Sequence, residues 1–149
     1  MRRADKGLSD QETKDLLVQG DYGILSTVGP DGQPYGVPLN YVYKNDGIYF
    51  HCATIGQKLD NISAEKRVSF CVVGNVQVLP KEFSTRYESA IVFGPAQEIS
   101  GNERFDALIW LLEKYSPDFL ETGREYIKKH DKATKVIKIT IEQLNGKAA

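Results

Sequence analysis

Only two histidines and two cysteines occur among the 149 residues, and one of each stands side by side in Tyr49-Phe50-His51-Cys52-Ala53-Thr54-Ile55-Gly56-Gln57-Lys58-Leu59-Asp60-Asn61-Ile62. The first half reads as a strand, because aromatic and β-branched residues dominate it. After Gly56 the period changes. Leu59 and Ile62 give one apolar side, and Lys58, Asn61 and Glu65 share another, which predicts a short helix opening near Gly56. A helix start leaves backbone N–H groups free and carries partial positive charge. Adding the Thr54 hydroxyl and the Lys58 ammonium makes a candidate phosphate site. The glycine-lysine pattern of a P-loop is absent. The plainer alternative is a solvated lysine on a surface helix.

On a strand, His51 shares a face with Tyr49 and Ala53 and opposes Cys52. Three roles fit it: a hydrogen bond to a ligand, a general base, or a satisfied core histidine. A metal ligand does not, since no second ligand lies at a recognised spacing. The other histidine sits in Lys128-Lys129-His130-Asp131 and reads as a solvated helix end. Pro38 interrupts an otherwise good strand. Proline cannot donate to a ladder, so it belongs on an edge or at a bulge, where the backbone of Leu39 and Asn40 is left open to a flat polar ligand. Serine-based catalysis has no G-x-S-x-G to rest on, and no side chain is assigned a catalytic role. Cys52 and Cys71, both in apolar runs, read as free buried thiols.

The elements that must hold these residues are mostly strands. Ser9 and Glu12 form a capping box before a short helix that stops at Gly20. Strands are predicted at 22–28, 33–43 and 47–53, joined by Gly29-Pro30-Asp31-Gly32 and Lys44-Asn45-Asp46-Gly47 as tight turns. In the second of them Tyr35, Val37, Leu39, Tyr41 and Tyr43 share one face. Further strands cover 66–73, 87–99 and 134–141, with an irregular connection over 74–84. A second capping box, Ser100 with Glu103, opens a helix whose apolar stripe is Phe105, Leu108, Ile109 and Leu112, with Trp110 off the stripe. Ser116-Pro117 restarts a helix. Hairpin-linked strands with few helices point to a small barrel of mainly antiparallel β structure, helices at its ends.

Size and charge restrict the partners. A chain of this length suits one domain, residues 1–149, with an expected folded surface of about 7,600 Å² against roughly 24,000 Å² unfolded. With 19 Lys+Arg against 20 Asp+Glu, the net charge of -1 offers no basic excess for nucleic acid. No stretch reaches the roughly 20 apolar residues that cross a bilayer, and no signal peptide is recognisable, so a cytoplasmic protein is expected.

The motifs together resemble the pyridoxamine 5′-phosphate oxidase-like flavoproteins, most of all their nitroimidazole-resistance (nim-type) branch. The likeness is carried by Gly36-Val37-Pro38-Leu39-Asn40-Tyr41, by His51-Cys52-Ala53 with Gly56 and Lys58-Leu59-Asp60-Asn61-Ile62, by Arg67-Val68-Ser69-Phe70 and by Arg86 to Gly94. It implies a six-stranded antiparallel split β-barrel that binds FMN near a homodimer interface. It implies phosphate contacts from Lys58 and the His51, Cys52, Ala53 and Thr54 strand end, with Asn61 nearby. It assigns the ring-facing strand to Val37, Pro38, Leu39 and Asn40, and a further contact to Arg86, Tyr87 and Ser89, from the partner subunit. No Arg/His pair matches the substrate site of the vitamin B6 oxidase itself. The implied activity is flavin-dependent reduction of a small molecule, a nitroaromatic among the candidates. A flavin-binding protein without turnover and a haem protein with His51 as axial ligand are the alternatives.

Overall fold

The computed structural model describes residues Met1–Ala149. Helix α1 (Asp10–Gln19) precedes four strands, β1 (Gly23–Val28), β2 (Pro34–Leu39), β3 (Val42–Lys44) and β4 (Gly47–Cys52). Helix α2 (Gln57–Ala64) leads into the long pair β5 (Arg67–Leu79) and β6 (Ser84–Ile99). Helices α3 (Gly101–Tyr115) and α4 (Leu120–His130) follow, then β7 (Lys135–Thr140) and β8 (Gln143–Ala148). Every pairing is antiparallel, in the order β2-β1-β5-β6-β7-β4-β3, with β8 added against β6. The path does not close. Its two ends, β2 and β3, are neighbours in sequence, so the opening lies at Asn40 and Tyr41.

Eight strands replace the six expected. The strand predicted over 33–43 breaks at Asn40–Tyr41, although its alternation runs on unbroken. The break is held from α3: the Tyr41 N–H donates to the Tyr115 hydroxyl at 3.0 Å, and the Tyr41 carbonyl accepts from Lys114 Nζ at 3.0 Å. These bonds satisfy backbone groups that a continued ladder would have used. The second extra strand, β8, is polar and without alternation. Its Gly146 is forced by a close approach, since a Cβ there would lie 1.9 Å from Thr13 Oγ1. The segment 74–84 is likewise not irregular. After a register shift between Gly74 and Gln77, β5 and β6 continue as a two-stranded arm, with a 3₁₀ turn at Pro80–Glu82. The arm's tip residue Phe83 is left-handed at φ 49° and 97% exposed.

Two cores result. The interior of the split barrel packs Leu25, Phe70, Val72, Val92, Phe50, Ile137 and Ile139, closed by Leu16 and Leu17 of α1 and Ile62 of α2. The second core lies on the other side of β4 and β7, where Tyr49 and Val136 meet Ala107, Leu108 and Leu111 of α3. The α3 stripe is therefore rotated from the one predicted: Phe105 is exposed, and Ala107 and Leu111 are buried. Its capping box does not form either. Glu103 is drawn away to accept from the Tyr49 hydroxyl at 2.9 Å and from Lys138 at 3.0 Å. The box at Ser9 and Glu12 does form, with both reciprocal bonds. No helix is long and apolar enough to cross a membrane.

Candidate functional site

The His51 to Lys58 segment forms the junction between β4 and α2. His51 and Cys52 end the strand with opposite faces, paired with Val136 and Lys135 of β7. Cys52 turns inward and packs on the barrel core. Burial pushes its thiol pKa up, against the pull of Lys58 and Lys135 on either side, so it stays protonated at neutral pH. Lys135 is a second cation at this junction that the sequence did not reveal, because only the β4–β7 register brings it there. It is partly neutralised by Glu98 at 3.7 Å. Ala53 and Thr54 are exposed on the connection, and Gly56, at φ 156°, has open space where a Cβ would stand.

Helix α2 begins with its first N–H groups free. The Gly56 carbonyl takes the N–H of Leu59 and of Asp60, which leaves those of Gln57 and Lys58 without a backbone partner. Lys58 is half-buried, and no carboxylate of the chain pairs with it. A free ammonium, two free N–H groups, a hydroxyl and a side-chain-free glycine suit a phosphate monoester, so the junction fits the anionic end of FMN. Asn61, one turn into α2, lies behind these groups. It is buried, and its amide accepts from Gln57 at 2.7 Å and donates to Thr27 at 2.9 Å. It ties the first turn of α2 to β1 and positions the junction from behind.

The second predicted segment borders the opening of the sheet. Val37 and Leu39 point inward against the main core, while Pro38 and Asn40 are exposed. Strand β2 is an edge that pairs only with β1, and Pro38 sits opposite Ile24 there, as the missing N–H requires. Asn40 lies just past the end of β2, and His51 stands one residue before the end of β4. Both line one cavity against α3 and α4. His51 keeps an exposed edge, but its surroundings desolvate the ring and lower its pKa, so the imidazole is neutral at pH 7. No cluster of three or more His, Cys, Asp or Glu side chains forms anywhere. His130 is not a solvated helix end: it borders the same cavity and stacks on Tyr126 at 4.2 Å.

The third predicted group stands apart. Arg86 pairs with Gln77 on the arm, where β5 and β6 have only each other as neighbours, and Tyr87 and Ser89 lie at its base. Within one chain these residues are not joined to the β4–α2 junction. Around them the outer sheet face is uncovered. Val73, Ile91 and Phe93 are 52%, 36% and 40% exposed, and Val76 and Val78 on the arm are more so.

Comparison with known proteins agrees with this architecture. The profile of the pyridoxamine 5′-phosphate oxidase family matches residues 9–148. A crystal structure of a candidate 5-nitroimidazole antibiotic resistance protein from Bacteroides thetaiotaomicron superposes with a TM-score of 0.81 at 25% identity, covering 94% of this chain and 84% of that one. An FAD-binding protein from Mesorhizobium loti superposes at 0.68 with 25% identity, covering 97% of each chain. A protein from Mycobacterium smegmatis that binds FAD and haem superposes at 0.79, covering 95% of this chain and 71% of that one. At 23% identity it shares the fold alone.

Proposed function

The chain belongs to the pyridoxamine 5′-phosphate oxidase family, and from that premise we propose that it binds a flavin, FMN, as a homodimer and uses it to reduce a small molecule in the cytoplasm. The observation that carries the reading is the uncommitted Lys58 beside the free N–H groups of α2. In this reading Lys58, the N–H groups of Gln57 and Lys58, and the Thr54 hydroxyl hold the phosphate. The open backbone of Pro38 to Asn40 faces the ring edge, and His51 stands beside it as a neutral hydrogen-bonding group. FMN, when bound, supplies transfer of one or two electrons. The protein supplies orientation and a local positive charge, and no side chain is needed as a nucleophile. The electron acceptor is a small aromatic, with nitroaromatics the first class to test.

A homodimer is favoured by the surface itself. The chain exposes 9364 Å², against about 7,600 Å² for a compact monomer of this mass. The surplus comes with an apolar sheet face and arm of the kind that association covers. A second copy there would bring Arg86, Tyr87 and Ser89 to its partner's flavin.

The test is the visible spectrum of the purified protein, followed by mass analysis of what denaturation releases. Flavin bands and released FMN are expected. A Soret band without flavin overturns the reading in favour of haem on His51. Mixing the yellow protein with reduced nicotinamide and a panel of nitroaromatics then separates a reductase from a flavin carrier, which oxidises no nicotinamide with any acceptor. Light scattering that gives the monomer mass overturns the shared site.

A further inference from the structure

Helix α4 has eleven residues and buries none of them. Ile127 on its apolar side packs on the α3 core, and beside that contact lies a cavity of about 400 Å³ lined by Leu108, Leu111 and Leu112 of α3. A second close approach lies where Gly123 leaves room for Leu112: a Cβ on Gly123 would lie 2.1 Å from Leu112 Cδ1. The far end of α4 is tied down separately. Arg104 reaches the Asp131 carboxylate at 2.6 Å, the Asp131 carbonyl at 2.9 Å and the Thr134 carbonyl at 3.0 Å. These contacts hold α4 beside α3 and leave the cavity between them. Its volume lies within the roughly 300–1,000 Å³ of small-molecule sites.

The lining also states what it would accept. No lysine or arginine faces the cavity, and its one carboxylate, Asp131, is already paired with Arg104. Polar side chains sit at the rims: Asn40 and His51 toward β4, His130 toward the end of α4. Apolar walls with a few convergent polar groups, and no unpaired charge, select a neutral ligand. We propose that the α3–α4 cavity binds a flat, uncharged aromatic molecule, its polar edge turned toward Asn40 and His51. The cavity borders the proposed flavin site at Asn40 and His51, but its apolar walls belong to α3 and α4, so a bound flavin is not required for it.

Calorimetric titration of the full chain with 1-naphthamide, with and without added FMN, tests it. Saturable binding of one molecule per chain is expected in both conditions. 1-Naphthoate, of the same shape but charged, should bind at least tenfold more weakly. Thr122→Trp fills the cavity from an exposed α4 position and should weaken 1-naphthamide at least tenfold, and Ser116→Trp does the same from the end of α3. Circular dichroism melting identifies a variant that fails to fold, and the other then decides. Absence of saturable binding, equal binding of naphthoate, or unchanged binding in a folded filled variant overturns the proposal. So does a filled variant that loses self-association while still binding 1-naphthamide, since the cavity would then be a contact between copies. Loss of FMN binding with 1-naphthamide binding intact would sink the flavin reading and leave this one standing.

Discussion

Replacing Lys58 with alanine removes a cation that no carboxylate of the chain engages. The fold should hardly notice: no ion pair is broken, and substitutions away from such features stay within about 0.5 kcal/mol. Flavin binding should notice strongly. A hydrogen bond to a charged group contributes about 1.5–3 kcal/mol, and each 1.4 kcal/mol is tenfold in affinity, so FMN should bind roughly 10- to 100-fold more weakly. The assay is quenching of flavin fluorescence, read at two salt concentrations because the lost interaction is electrostatic. Riboflavin is the internal control. It shares the ring and lacks the phosphate, so wild type and Lys58→Ala should bind it alike. An FMN affinity within twofold of wild type would remove Lys58 from the site. Equal weakening of FMN and riboflavin would show that the substitution acts through the fold and not through a phosphate contact.

Three other outcomes are expected. Asn61→Ala leaves Thr27 and Gln57 without their buried partner and should cost about 1–3 kcal/mol; an unchanged urea midpoint would show that the tie between α2 and β1 is idle. Gly94→Ala places a Cβ 1.7 Å from the Thr140 carbonyl oxygen, a backbone clash that should cost at least about 1–3 kcal/mol and lower the melting temperature by several degrees. Burial pushes the Lys114 ammonium down to about 8, while an unfolded lysine titrates near 10.4. From pH 8 to 10 the unfolded chain therefore holds a proton that the folded chain has released, and stability rises with pH; urea midpoints across that window should show the rise, and Lys114→Met should flatten it.

What could be read in the sequence was local. The change of period after Gly56 located α2 because period is a property of neighbours along the chain. Pro38 announced an edge strand because its missing N–H is intrinsic to the residue. What escaped was set at a distance. The alternation through Tyr41 gives no hint of a break, since Lys114 and Tyr115 impose it from more than 70 positions away. The strand at Gln143–Ala148 lacks a hydrophobic pattern because Gly146 is chosen for its approach to Thr13 and not for burial of a side chain. Glu103 has the spacing of a capping residue and is claimed by Tyr49 and Lys138 instead. His130 looked solvated because no local signal reports a cavity that α3 builds opposite it.

The opening of the sheet explains why the candidate residues gather where they do. An unpaired strand edge invites further strand addition unless something blocks or occupies it. Here Pro38 blocks the edge of β2. The chain then turns away at Tyr41, whose hydroxyl donates to the Leu17 carbonyl at 2.5 Å and whose ring packs edge-on against Phe70 at 4.9 Å. Tyr41 thus spans the barrel interior and fixes the gap from inside, while Tyr115 and Lys114 fix it from outside. The gap is bonded from both sides, and Asn40 and His51 border the cavity beside it. That is what a preorganised site requires of a scaffold. The same contacts keep β2 and β3 from pairing with each other, so the sheet stays open there and the outer edge of β2 has no partner strand.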